Sequence, residues 1–472
     1  MATIIIEIPE DLKALEEPVR AVIELVAQQA KRGRQGVRVS YDRFCEGVSN
    51  AVGAIERGAH AAALAALDID AEAITVDDEL FRKAGRNPGT YYTKAGPVTL
   101  ERSIYRKAGD RQGRTVDTIS LRVGAAGDGW LPDAATAMAY LLQQGTSREA
   151  ELTARQLDRL PYSRSSFDDV GHEVGRRLVA RHQEIEETLI KRFDVPRAAK
   201  SVSVSLDRVA LPMEELRPRP PGRPLKGAPK KPVVCVYRMA FCGTVTLHDA
   251  KGEALHTIRY GTMPGGDADS LCLGMAGDVL ALLDKAPRLA VSLLCDGAPE
   301  MWTRLDAEFS DGFGVVTRRI DFYHLVEKLA AAAAVMVEPA DRASVVRRWV
   351  TRLKSSNQAA SHILAELHAS GCESFRVGDQ RPVHDAITYL TNNADRMQYA
   401  SAIEAGLPIG SGAVEATCKS LVNQRMKRSG SRWKTTTGEH VIHLRAMALS
   451  DRWDDALRLT LPSPQVRILR AA

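Results

Sequence analysis

The sequence predicts an α/β core set between helical segments, and three observations predict it. From Lys200 the apolar pattern takes a period of two: SVSVSLD puts Val202, Val204 and Leu206 on one face and Ser201, Ser203, Ser205 and Asp207 on the other. An apolar run, LAVSLLCDG, ends at Asp296-Gly297, as a buried strand with a tight exit would. Strand signals then stop near residue 330, and residues 340–400 are helical in character throughout. The expected organisation is a helical and β-hairpin part at 1–131, a helical segment at 132–199, the core at 200–339, a helical insertion at 340–405, and a last core helix with a basic tail at 406–472.

The elements follow in order. Leu12, Leu15, Val19, Val22, Ile23 and Val26 repeat at helical spacing between Pro9 and Gly58. After a turn-rich stretch at 85–96, the halves of TYYTKAGPVTLERSIYR flank Ala95-Gly96-Pro97 and read as a β-hairpin. Pro132 opens a helix, Thr146-Ser147 caps another, and Ser165 or Ser166 caps a long third helix. That helix keeps one apolar face from Phe167 through Val174 and Leu178 to Phe193. Seven arginines between 148 and 181 decorate the set, so it reads either as a helix-turn-helix DNA reader or as a helical linker with solvated arginines. In the core, PVVCVYRMAFCGTVTLHD, ALHTIRYG and GFGVVTRRI read as further strands. Asp267–Asp284, the segment opened by Pro299, and DFYHLVEKLAAAAAVM read as helices.

Composition narrows the class. With 472 residues, 44% hydrophobic and 26% charged, the chain is globular rather than disordered. Sixty-four basic against 59 acidic residues leave +5, too mild a balance to name a partner. Seven scattered cysteines, none spaced C-x-x-C, argue against a disulfide framework or a cysteine zinc site. The longest apolar run, Leu329–Val337, is about half a bilayer span, and the N-terminus lacks the basic start of a signal peptide. A soluble, reduced, cytoplasmic protein without a membrane partner is expected.

Three carboxylates occupy places a metal site could use. Asp207 is expected to end the first core strand, Asp296 ends the apolar strand, and Glu415 lies early in a helix after Gly410-Ser411-Gly412. Converging carboxylates repel one another unless a divalent cation neutralises them, and Mg²⁺ or Mn²⁺ accepts such oxygen ligands. Two ions about 4 Å apart clamp the attacking and leaving oxygens of a phosphoryl displacement, so phosphodiester hydrolysis or transesterification is the reaction expected. The spacing alone leaves a plain alternative: 89 residues separate Asp207 from Asp296 and 119 separate Asp296 from Glu415. Two strand-end turn residues and a helix N-terminal acid satisfy the same pattern.

Charge placement favours nucleic acid. Lys419, Arg425, Lys427, Arg428, Arg432 and Lys434 fall between Ala416 and Gly438 with no acid among them. Arg217, Arg219, Arg223, Lys226, Lys230 and Lys231 form a second acid-free run, RPRPPGRPLKGAPKK, whose prolines keep it extended enough to follow a groove. Each neutralised phosphate releases counterions, so such runs confer tight, salt-dependent binding. Lys419 stands four residues beyond Glu415, where it either holds a phosphate or pairs with that glutamate.

VSLDRV, LCDGAPEMW, DFYHLVEKL, NADRMQYA and above all GLPIGSGAVEATCKSLVNQRMKRSGSRW resemble the ISKra group of bacterial insertion-sequence transposases over about residues 200–455. The resemblance implies a DDE transposase with a ribonuclease-H-like mixed five-stranded sheet, acids on its first and fourth strands, and the last acid on a C-terminal helix. It makes Asp207, Asp296 and Glu415 the metal ligands for two Mg²⁺ or Mn²⁺ ions. Asp321-Phe322-Tyr323-His324 is similar to a D-x-x-H step in such enzymes, with His324 set to position a phosphate or water, or else a structural histidine at a helix start. Asp321 is the rival for the second aspartate. Related members carry N-terminal cysteine pairs that imply a zinc-stabilised DNA reader, whereas this chain has only Cys45 there. End recognition therefore falls to the helical 132–194 segment.

The expected activity is 3′-end cleavage and strand transfer on double-stranded DNA, with terminal inverted repeats and target DNA as partners. A homo-oligomer on DNA and a location at the bacterial nucleoid are expected with it. Two other readings stand beside it: a ribonuclease-H-like nuclease that cuts without joining, and a catalytically dead DNA-binding derivative.

Overall fold

The computed structural model describes residues 9–35, 40–216, 233–310, 312–462 and 464–468. The chain divides into two compact units, 1–180 with 457–472, and 181–456. The division falls inside the expected 132–199 segment, because the long third helix is two helices.

In the first unit, α1 (Glu16–Arg34) packs on α2 (Tyr41–Ala65). Strands β1 (Ala73–Val76), β2 (Glu79–Thr93), β3 (Gly96–Lys107) and β4 (Val116–Asp117) follow, and a C-terminal strand, Val466–Ile468, pairs with β1 to complete an antiparallel five-stranded sheet. The hairpin turns at Lys94-Ala95, with Thr93 paired to Gly96, whose φ of +119° favours glycine. Its first strand reaches back through the region expected to be a turn. Gly85 there marks a register shift, and Pro88 pairs with Glu101.

Helices α3 (Thr118–Val123), α4 (Pro132–Gln144), α5 (Ser147–Gln156) and α6 (Arg164–Ala180) complete this unit. Thr146 and Glu149 form a reciprocal capping box at the start of α5. The expected cap of α6 shifts to Ser163, whose hydroxyl accepts from Ser166 N at 3.4 Å. Gly171 admits Leu142 so closely that a Cβ there would lie 2.3 Å from Cδ2 of Leu142, which draws α4 against α6.

The second unit begins where Arg181 leaves helical geometry (φ −124°, ψ 20°) and α7 (His182–Arg192) starts. Strands β5 (Ser201–Leu216), β6 (Val233–His248) and β7 (Ala254–Thr262) form an antiparallel meander. Helix α8 (Ala268–Lys285) then leads to β8 (Ala290–Cys295), and α9 (Pro299–Glu308) leads to β9 (Val316–Ile320). The sheet order is β7-β6-β5-β8-β9, with β8 parallel to β5 and β9 parallel to β8. Helical connections are what parallel neighbours require.

Five helices come next: α10 (Phe322–Met336), α11 (Arg342–Ser355), α12 (Ala359–Ala369), α13 (Pro382–Asn393) and α14 (Tyr399–Glu404). Then α15 (Gly412–Thr417) runs through a π-helical stretch, Cys418–Asn423, into α16 (Gln424–Met426), and α17 (Thr435–Leu449) follows. Both faces of the sheet are covered. Val202, Val204, Leu206, Val291 and Leu293 bury with residues of α8 and α10, while Cys242 buries with Val414, Cys418, Leu421 and Met426. Coverage on both sides explains why LAVSLLC reads as continuous apolar sequence rather than as alternation. No helix among the described residues is long and apolar enough to cross a membrane.

Candidate active site

Asp207 does not end its strand. β5 runs nine residues further, to Leu216, paired with β6 throughout. What ends near Asp207 is the pairing with β8, whose last matched pair is Val204 with Leu293. Arg208 is exposed and Pro212 lacks an N–H, so the alternation fades on paper although the hairpin continues. Trp433 covers the free edge, its N–H donating to Pro212 O at 3.1 Å and its carbonyl accepting from Glu214 N at 2.8 Å.

The register carries the site. Val204 pairs with Leu293 at an offset of 89, and the same offset relates Asp207 to Asp296. Both aspartates follow the last β5–β8 pair by three residues, near enough for the Asp207 charge to act on Asp296. Just before them the Cys295 thiol donates to Leu206 O at 2.9 Å. Asp296 turns sharply into α9: its Oδ1 accepts from Ala298 N at 2.9 Å and its carbonyl from Trp302 Nε1 at 2.7 Å. Burial and the adjacent Asp207 charge push its carboxyl above the usual range, against the Ala298 hydrogen bond and the His324 charge.

Glu415 sits in α15, half-buried, and its helix reaches Asp207 directly: the Cys418 thiol contacts Asp207 Oδ2 at 3.5 Å. His324, in the first turn of α10, bridges the remaining gap. Its Nδ1 lies 3.4 Å from Asp321 Oδ1 and its Nε2 3.9 Å from Glu415 Oε1. The Asp321 carboxylate, helped by Glu415 and Asp296 and opposed by burial, pushes the imidazole up to about 9. It is therefore an imidazolium at neutral pH.

Asp321 is fully buried and acts as a clamp. Oδ1 accepts from His324 N at 2.7 Å, capping α10, and Oδ2 accepts from Ser411 N at the mouth of α15. Its own N–H donates to Cys295 O at 2.8 Å, and Phe322 N donates to Ile409 O at 2.9 Å. Burial opposes its ionisation, but the hydrogen bonds from His324 and Ser411 outweigh that and hold the carboxyl below the usual range. The end of β8, through the Asp321 backbone, and the start of α10 and the GLPIGSG turn, through its carboxylate, thus meet on one residue. Sequence reasoning weighed Asp321 only as a rival ligand; the cap signal D-x-x-H at a strand-to-helix junction was the available clue to this role.

Asp207, Asp296 and Glu415 offer carboxylate oxygens alone, but among the described residues the group of three whose donor atoms lie within 4.8 Å of one another is Asp321, His324 and Glu415, and the expected triad is not such a group. The all-oxygen set suits a hard divalent ion. The like-charge pressure on Asp296 is what such an ion relieves.

The basic residues divide. Lys419, Lys427, Arg432 and Lys434 are exposed, and Arg428 is half-buried with its Nε donating to Gln424 O at 3.3 Å. Arg425 departs from expectation: it is 4% exposed, its guanidinium 5.1 Å from the Trp433 ring centre, so it belongs to the core rather than to a phosphate-facing surface. Arg217, Arg219, Arg223, Lys226, Lys230 and Lys231 lie outside the described residues.

No family model and no curated protein matches the chain. Among solved structures it is similar to a Drosophila P element transposase strand transfer complex. The TM-score is 0.23 and the identity 13%, over 69% of this chain and 80% of that one. A likeness at that level carries no argument about fold or chemistry.

Proposed function

We propose that this chain is a DDE-type DNA transposase of a bacterial insertion sequence, with a ribonuclease-H-like core holding Asp207, Asp296 and Glu415 as ligands for two Mg²⁺ or Mn²⁺ ions. The observation that supports this best is that Asp207 and Asp296 both lie three residues past the last β5–β8 pair, with the Cys418 thiol beyond Glu415 contacting Asp207. The strand order, an antiparallel meander followed by two parallel strands, supports it too. Bound divalent ions supply Lewis-acid polarisation of phosphoryl oxygens and acidify the attacking water or hydroxyl.

The chain's own residues do the rest. Asp207, on β5, and Asp296, just past the end of β8, supply two of the acids, and Glu415 adds a third from a helix clamped by Asp321. His324, cationic and partly exposed, attracts and orients a phosphate oxygen. Lys419, Lys427, Arg428, Arg432 and Lys434 are assigned to the DNA backbone, with the 217–231 run alongside. Hydrolysis at the element end frees a 3′-OH, which attacks a target phosphodiester without a covalent protein–DNA intermediate. Pairing two ends calls for at least two subunits on DNA, and the α4–α6 helices are the candidate reader of the terminal repeats.

The test incubates the protein, Mg²⁺, element-end DNA and a target plasmid. Joined products support a transposase, nicked ends without joining make it a nuclease, and DNA binding without either makes it a binding derivative. Asp207→Asn is expected to abolish strand cleavage and to leave DNA binding intact; cleavage that survives this change removes the triad.

A further inference from the structure

A polar cleft of about 580 Å³ opens beside Asp296, at Gly297, between the core and the helical insertion. Its floor is Gly297 and Trp302. The Tyr389 ring of α13 lies so close to Gly297 that a Cβ there would come within 2.4 Å of its Cε2. The Asp296 and Asp321 charges reach Tyr389 and, together with burial, push its hydroxyl up. The cleft and the carboxylates are therefore neighbours.

One wall is α10, where Lys328 stands one turn beyond His324 and so on the same helix face. Lys328 is exposed and has no ion-pair partner among the described residues. Helix α13, which packs on α10, adds Thr388 and Asn392 to the lining, both exposed. Arg396 closes the end, its guanidinium 4.4 Å from the Trp302 ring centre. Asp385 is the one acid in the lining; Arg396 lies 3.7 Å from Asp395, so Lys328 is the lining cation without an ion-pair partner among the described residues, set among amide and hydroxyl groups.

The volume lies within the roughly 300–1,000 Å³ of clefts that enclose small ligands, too narrow for a duplex and wide enough for a nucleotide. We propose that this cleft binds one unpaired nucleotide adjoining the reacting phosphodiester, with Lys328 on its phosphate and Asn392 and Thr388 on the edge of its base. The assignment rests on the DNA-cleaving reading of the adjacent carboxylates. It gives the helical insertion a direct part in holding substrate: α13 supplies the polar wall, and the backbone at Gly297 fixes how near the nucleotide lies to Asp296.

The test is fluorescence anisotropy of the full chain, in EDTA so that no cleavage occurs, with two labelled DNA ends. One is blunt, and the other carries unpaired nucleotides beyond the cleavage position. The wild type is expected to bind the unpaired end more tightly. Lys328→Ala is expected to weaken that binding on the order of tenfold, the effect of a lost charged hydrogen bond, and to leave the blunt end within about twofold. Asn392→Ala is expected to lose the advantage of a normal flank over an abasic one.

Equal affinity of the wild type for both ends overturns the proposal, as does equal weakening of both by Lys328→Ala. Both substituted side chains are exposed, so folding is not at stake. The readout needs no chemistry, so it separates from the proposed activity. A wild type that prefers the unpaired flank but cuts nothing in Mg²⁺ keeps the cleft and loses the transposase; one that cuts without that preference does the reverse.

Discussion

Asp321 shows how much rests on one side chain. Replacing it by alanine strands two backbone N–H groups, at His324 and Ser411, and removes the main support of the His324 charge. A loss of about 1–3 kcal/mol is expected from each unsatisfied group, read as a lower midpoint in urea. The His324 titration, followed by NMR in divalent-free buffer, should fall toward an ordinary histidine value. His324 itself predicts a pH profile. Its folded value lies above the roughly 6.5 of an unfolded chain, so its stabilisation is complete below that pH and is lost as pH rises through about 9. The stability gap between wild type and His324→Asn should accordingly narrow from pH 6 to pH 9.5 or so. A constant gap would mean that the imidazolium contributes nothing. Arg425 and Lys427 are neighbours with opposite expected behaviour. Lys427→Ala should lower the slope of log affinity against log salt by about 0.9 without changing thermal stability. Arg425→Ala should instead lower the melting temperature, because it removes the group stacked on Trp433. Sequence could not separate the two, since both sit in one acid-free run and burial is a property of the folded helix.

At the level of elements, strand periodicity was the most legible signal. Val202, Val204 and Leu206 face one core as the alternation implies, and the capping box at Thr146 and the prolines at 132 and 299 open the helices they predict. The failures are local. Pro212 hides the second half of β5, the bulge at Gly85 looks like a turn, and the uninterrupted apolar face of 167–193 conceals the break at Arg181. That break starts α7, which a buried charge network ties down. Arg452 lies 2.7 Å from Glu186 and 3.8 Å from Asp278, whose carboxyl is pushed up to about 7 by burial and by Glu186; Tyr260 donates to Asp278 at 2.5 Å. Arg452→Met leaves Asp278 without a cation and Glu186 with only the His182 imidazole 3.4 Å away. A destabilisation of about 3–5 kcal/mol is expected by chemical denaturation, and little change would show the network to be dispensable. The π-helical stretch just beyond Glu415 has no sequence signature that propensity could have revealed.

For the molecule as a whole, the candidate site was legible as a set of residue types and not as a geometry. Asp207, Asp296 and Glu415 were named from two expected strand ends and a helix start, yet Asp207 lies inside β5, and its nearness to Asp296 is a matter of the folded sheet that no spacing in the sequence shows. A ligand that binds the folded chain alone raises its stability by mass action, by about 2.7 kcal/mol at a hundred times its dissociation constant. Mg²⁺ or Mn²⁺ should therefore raise the melting temperature of the wild type, and Asp296→Asn should remove most of that rise. An equal rise in both would place the ions elsewhere.

The chain leaves the sheet at Ile320 and comes back at Ile409, and the two points are stapled by Phe322 N to Ile409 O and by Ser411 N to Asp321. Everything between them past α10 is a detour whose endpoints are already joined. Trp349, Leu353, Ile363, Leu367, Val383 and Leu390 bury in the core that backs the sheet, so the detour's helices are fixed, and only its exposed connections, such as 374–380, can be lengthened at little more than the slow logarithmic cost of closing a longer loop. The acids at the detour's base would keep their spacing while those connections acquired new substrates to grip.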